Sequence, residues 1–261
     1  MCSEPAAPPT RWPRTPTGSG AGEPANGQPA AQSLLSSRRL RTTIVRVDSP
    51  QPPAGHDVET LVLDKRTLDE VAVVATEAFA DDPFFSFLSP KANLRRRGLS
   101  IYWRATVASL GERGLVLGVR RDDGRLVGVA AFVRPGCYPL PAMTQLRQAR
   151  SAFWALIARP AAIVPGSRYL LAIDKAHPRE PLWYLEMLVV EPSAQRGGVG
   201  AALQDHVYRL ADREQVPGYL ETQKADNLAY YRRFGYEVVD ELHPVTKGPP
   251  LWTMRREPRR P

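Results

Sequence analysis

Along residues 58–257, short apolar runs alternate with segments whose apolar positions recur every three or four residues, as an α/β unit requires. Residues 58–63 read as a first strand. A helix is predicted from Thr67 to Ala80, with Thr67 and Glu70 as a capping box, and Asp82-Pro83 breaks it. The apolar cluster Phe84, Phe85, Phe87 and Leu88 follows, then a second helix over 94–110 closed by Gly111. Strands at 115–120 and 126–134 flank Asp122-Asp123-Gly124, a hairpin signal, and Pro135 ends the second. Two helical stretches, 143–158 and 165–176, form an insert over 135–181. The apolar run 182–190, an amphipathic segment 199–214, a strand 218–222, a helix 227–234 and strands near 236–242 and 250–256 complete the unit. Val199, Leu203, Val207 and Leu210 lie on one stripe of the long helix, which predicts that it packs on the sheet.

Composition changes this picture at one place. Residues 1–57 hold ten of the 26 prolines, few large apolar residues and no sustained periodicity. Such a segment buries too little apolar surface to offset its ordering entropy, so a disordered extension is expected there. The folded domain is expected over 58–257, with a basic tail at 258–261. The net charge of +8 is scattered and accompanies no recognisable nucleic-acid module. Cys2 and Cys137 are far apart and suggest neither a disulfide framework nor a metal site. No N-terminal secretory h-region and no run of about eighteen apolar residues is visible, so a cytoplasmic protein without membrane contact is expected.

The chemistry is concentrated where the run 182–190 meets the helix 199–214. There the chain reads Gln195-Arg196-Gly197-Gly198-Val199-Gly200-Ala201. A strand, a glycine-rich turn and a helix N-terminus present backbone N–H groups and the positive end of a helix dipole to an anion. Glycines let a phosphate approach the main chain, and Arg196 adds a full charge. The nucleoside-triphosphate loop is excluded, because Gly200 is followed by Ala201-Ala202 rather than Lys and a hydroxyl residue. The dinucleotide pattern G-x-G-x-x-G fails at Leu203.

The surviving pattern, Q-R-x-G-x-G/A, resembles the acetyl-CoA loop of the GNAT superfamily of N-acetyltransferases. Downstream, the segment from Asn227 through Tyr231 to Gly235-Tyr236 resembles that family's N-x-x-x-Y-x-x-x-G-[FY]. Within the superfamily, residues 180–185, Leu220-Glu221-Thr222 and Leu251-Trp252-Thr253-Met254 are most similar to the puromycin N-acetyltransferases. The resemblance is close over 174–257, looser over 58–133 and absent from 1–57. It implies an α/β (α+β) GNAT fold: a central mixed, mostly antiparallel twisted sheet, with splayed parallel strands at the cofactor site, flanked by helices. It also implies acetyl-CoA as co-substrate, held by the loop at 195–201. Backbone groups of Leu188, Val189 and Val190 would run along its arm, and Asn227 would contact it. No metal is expected.

Amine acetylation needs a base for the amine and an acid for the leaving thiolate. Tyr231 matches the family tyrosine, and a phenol, protonated at neutral pH, can donate; a core aromatic is the alternative, a part that Tyr230 would also fit. Asn227 could equally cap its helix. Glu186, alone among charges in 182–190, is expected to share a strand face with Tyr184, Leu188 and Val190, where partial burial would raise its pKa. Glu221 is the second candidate base, and a structural hydrogen bond is the alternative for either. His206 is expected to be structural. His177 could line the acceptor side, as could the aromatic residues Phe84, Phe85, Phe87, Tyr102 and Trp103, although core packing accounts for the latter. The expected activity is acetyl transfer to a primary amine on a small molecule through a ternary complex. A protein amine as acceptor and a non-catalytic acyl-CoA sensor are the rival readings.

Overall fold

The computed structural model describes residues 55–138 and 160–260. Expectations for the proline-rich stretch before residue 55 and for a helix over 143–158 lie outside the described residues. Seven strands form one sheet: β1 (Val58–Thr60), β2 (Gly114–Arg120), β3 (Leu126–Val133), β4 (Trp183–Val190), β5 (Gly218–Thr222), β6 (Tyr236–Leu242) and β7 (Leu251–Arg256). Their order is β1-β2-β3-β4-β5-β7-β6. Every neighbouring pair is antiparallel except β4 and β5, which run parallel.

β3 sits centrally and is buried at every position, which is why its sequence is apolar without alternation. On one face, α1 (Lys65–Ala78) and α3 (Ala92–Leu110) pack Val71, Ala75, Trp103 and Val107 against Val129, Ala131 and Met187. On the other, α5 (Val199–Glu214) packs Val199, Leu203 and Val207 against Ala130, Phe132 and Leu185. Between them in sequence come α2 (Pro83–Leu88) and the insert helix α4 (Ile163–Ala176); α6 (Ala225–Arg232) follows β5. Among the described residues, no helix is long and apolar enough to cross a membrane.

Several local expectations are corrected. The cap of α1 is Asp64, whose side chain accepts from the Thr67 N–H at 2.7 Å; Glu70 is instead drawn to Arg66 and Arg120. Asp82 does interrupt the helix, but it also caps α2, with Pro83 at the first helical position. β1 ends at Thr60, although the Leu61 N–H still reaches the Val116 carbonyl. Asn227 lies inside α6 rather than at its cap. His206 is exposed, on the solvent side of α5. Cys137 is buried.

Candidate functional site

The site is set by how β4 and β5 pair. Only Trp183 with Gly218 and Tyr184 with Tyr219 are in register; beyond them the two strands part. The β4 edge over 185–190 therefore has no strand partner on that side among the described residues. Unpaired backbone N–H and C=O groups need other partners, and an extended ligand can supply them.

A β-bulge reshapes this edge. On β3, Ala131 pairs with Met187 and Phe132 with Leu185, so Glu186 is the extra residue. Bulges re-aim side chains, and this one corrects the expected alternation. Tyr184 faces the α1/α3 side together with Met187 and Val189, whereas Leu188 and Val190 face the α5 side. Glu186 does not share a face with Leu188 and Val190.

At the end of β4 the chain passes through a short turn into α5. Arg196 adopts a left-handed conformation at φ 63°, and Gly198, at φ 90°, is the helix cap. Among the described residues no side chain caps α5 and no acidic residue occupies its first turn, so the amides of Val199, Gly200 and Ala201 meet no described carboxylate. Gln195 folds back to donate to the Val190 carbonyl at 3.1 Å. Arg196 and Gly197 are exposed, and His56 donates from Nε2 to the Gly197 carbonyl at 2.7 Å. Two glycines fix the turn against the sheet. A Cβ on Gly128 would run into Val199, and one on Gly200 would lie 2.7 Å from the Tyr230 hydroxyl.

The two tyrosines of α6 have different surroundings. Tyr230 Oη accepts from Gln204 Nε2 at 2.7 Å; that amide also reaches the Gly200 carbonyl at 3.1 Å, and Tyr208 donates to the Gln204 carbonyl. Tyr230 thus belongs to the scaffold of the turn. Tyr231 is buried against Tyr230 and Tyr236. Burial, together with those phenols, holds its hydroxyl in the protonated form. Asn227 donates to Thr222 Oγ1 at 3.0 Å, tying α6 to the end of β5.

On the opposite side of the gap stand the two carboxyls. Burial pushes Glu186 up to about 7, a hydrogen bond from Tyr184 pulling the other way. Burial pushes Glu221 up to about 8; Tyr184 and Tyr219 oppose this and the charge of Glu186 reinforces it. The Tyr184 phenol therefore lies against both carboxyls. Around them, Tyr138 stacks on His177 at a centroid distance of 3.6 Å, and His177 meets Tyr184 and Tyr219 edge-on at 4.8 and 5.0 Å. Tyr102 from α3 feels the Glu186 charge. Sequence reasoning found the two glutamates but missed this aromatic shell. A signal was there: the tripeptide Tyr-Leu-Glu occurs at 184–186 and again at 219–221, with the two tyrosines in register at the point where the parallel strands part. His177, considered for the acceptor side, lies in the shell, whereas Phe85 and Trp103 pack into the core beside α1.

The pattern of the Acetyltransferase (GNAT) family matches residues 78–236. Among solved structures, the chain is similar to one described as histone acetyltransferase HPA2 and related acetyltransferase from Corynebacterium glutamicum. The two are 23% identical, with 79% of this chain and 98% of that one covered and a TM-score of 0.56. PH1933 from Pyrococcus horikoshii is 14% identical, with 78% and 99% covered and a TM-score of 0.50. At these identities the likeness shows a shared fold.

Proposed function

Because the chain belongs to the acetyltransferase (GNAT) family, whose members are acyltransferases that use acetyl-CoA, we propose that it moves the acetyl group directly to a primary amine of a small molecule. The observation that carries this reading is the parting of β4 and β5 between an uncapped helix N-terminus and two carboxyls of raised pKa.

In this reading the turn over 195–201 grips the diphosphate through its amides and Arg196. The free β4 edge at Leu188, Val189 and Val190 runs along the pantetheine arm, with Asn227 contributing from α6. A β4 N–H beside the bulge polarises the thioester carbonyl. Glu186, with a pKa near neutrality, takes the amine proton; the nitrogen attacks, and Tyr231 returns a proton to the departing thiolate. Glu221 is the alternative base. The puromycin N-acetyltransferase likeness and the insert over 135–181 support a small-molecule acceptor rather than a protein one. The unit doing this work is 58–257.

The test is a screen of primary amines, puromycin included, with acetyl-CoA and mass detection of products, alongside calorimetry of acetyl-CoA binding. Acetylated product is expected from at least one amine. Folded protein that gives no heat with acetyl-CoA would overturn the reading.

A further inference from the structure

β1 lies at one edge of the sheet, yet the residue two positions before it reaches the turn at the end of β4. His56 Nε2 lies 2.7 Å from the Gly197 carbonyl. A carbonyl only accepts, so Nε2 carries the proton and donates. His56 precedes residue 58, where the sequence places the start of the folded domain, and 141 positions separate it from Gly197. β1 fixes its place. Val58 pairs with Val119 and packs against the cluster that includes Val199, while Glu59 accepts from Arg120 Nε at 2.7 Å.

Gly197 stands between two left-handed residues, Arg196 at φ 63° and Gly198 at φ 90°. A residue with a side chain resists that conformation, which persists where its surroundings over-determine it. Gln195 anchors the turn on one side of Arg196, through the Val190 carbonyl, and His56 anchors it on the other. A peptide is planar and trans, so the Gly197 carbonyl and the Gly198 N–H point in opposite directions. The sheet order places β1 and the β4–β5 gap on opposite flanks of β4. With the carbonyl drawn toward β1, the N–H turns toward the gap. Among the described residues that N–H meets no acceptor. Backbone amides held in this way form a concavity for an anion.

We propose that His56 is a positioning residue for the cofactor: its Nε2–H holds the Gly197 carbonyl and so keeps the Gly198 N–H, at the cap of α5, aimed at the diphosphate of acetyl-CoA. This rests on the acetyl-transfer reading above and deepens it. No step of the transfer falls to His56, so its effect is on donor binding and not on the chemistry. A donor without the diphosphate gives the aligned amide nothing to meet and is indifferent to His56. The bond is exposed to solvent, so its loss weakens acetyl-CoA binding about fivefold, which converts to about 1 kcal/mol, the ordinary net worth of one hydrogen bond.

The experiment compares the full chain with two variants. His56→Phe keeps a ring and removes the donor, whereas His56→Gln keeps an N–H donor at a similar reach. Each is titrated with acetyl-CoA by calorimetry. Transfer to an amine found in the screen above is then measured with acetyl-CoA and with S-acetylpantetheine, which lacks the diphosphate. His56→Phe is expected to raise Kd and KM for acetyl-CoA about fivefold. The amine KM, kcat at saturating acetyl-CoA and kcat/KM for S-acetylpantetheine are expected to stay as in the native chain. His56→Gln is expected to restore Kd to within about twofold of native. A native Kd in His56→Phe, no rescue by His56→Gln, or an equal loss with S-acetylpantetheine would overturn the inference. Folded native protein that gives no heat with acetyl-CoA would instead overturn the reading on which it rests.

Discussion

The two sides of the β4–β5 gap are built from the same residue types to opposite ends. On the α5 side, Gln204 links Tyr208, Tyr230 and the Gly200 carbonyl by hydrogen bonds. On the α1/α3 side, Tyr138, Tyr184 and Tyr219 surround two carboxyls and an imidazole; among the described residues Glu221 Oε1, His177 Nε2, Trp103 Nε1 and Thr106 Oγ1 have no partner there, against Tyr236 Oη alone on the α5 side. Satisfied networks rigidify; unsatisfied ones lose stability and persist where a ligand completes them. The contrast assigns a task to each side. One side holds a turn still so that its amides stay aligned for an anion, and the other keeps two carboxyls close to their protonated forms.

The largest expected effect lies on the α5 side, at Tyr231. Tyr231→Phe keeps the ring packed against Tyr230 and Tyr236 and removes only the proton donor. A general acid contributes about 10²–10⁴-fold, so kcat is expected to fall by about 10³ with acetyl-CoA affinity unchanged. Unaltered turnover would return Tyr231 to the core. Glu186→Gln is expected to lower kcat by about 10²-fold. A base must be ionised to work, so the native rate should rise with pH through about 7 and the variant should lose that limb. A pH–rate profile of both proteins checks it; retention of the limb moves the role to Glu221. The pair titrates as a unit, so the limb belongs to both carboxyls until one is removed.

The hairpin, the turn and the long helix were legible because glycine punctuation and the 3.6-residue stripe are local signals. The helix 199–214 and the strand 218–222 match residue for residue. The cap of α1 was misread because Asp64 and Thr67 are both good caps, and tertiary pull on Glu70 from Arg120 decided between them. The bulge at Glu186 left no mark in its own strand; it arises from the register of β3 against β4. For the same reason the two glutamates were visible as candidates, but not their shared partner, Tyr184. His177 reaches the shell from the end of α4, across a distance in sequence that no periodicity reports.

A smaller effect tests the turn. Gly200→Val places branched carbons where a Cβ alone would already lie 2.7 Å from the Tyr230 hydroxyl. The Gln204–Tyr230 bond must shift, and the amides over 198–201 shift with it. KM for acetyl-CoA is expected to rise about tenfold, worth about 1.4 kcal/mol, with the amine KM kept. A rise in the amine KM instead would mean that the two sides are not independent.

The smallest effect separates the sides by sign. Gln204→Ala strands the Tyr208 and Tyr230 hydroxyls, and the folded chain is expected to lose about 1–3 kcal/mol at any pH. Glu221→Gln is expected to act oppositely in the ligand-free protein. A carboxyl whose folded pKa is raised to about 8 binds its proton more tightly when folded than when unfolded. Its stabilising contribution is intact below the unfolded value near 4.5 and is lost as pH climbs through about 8. An amide cannot ionise, so it escapes that loss. Denaturant unfolding at pH 5 and pH 8.5 is therefore expected to show little difference between native chain and variant at the lower pH. At the higher pH the variant should be the more stable by about 1 kcal/mol, a figure kept low because Glu221 is only partly buried. Equal pH dependence of the two would mean that Glu221 is solvated in the folded chain, and the two sides of the gap would then differ in shape but not in the energy of their polar groups.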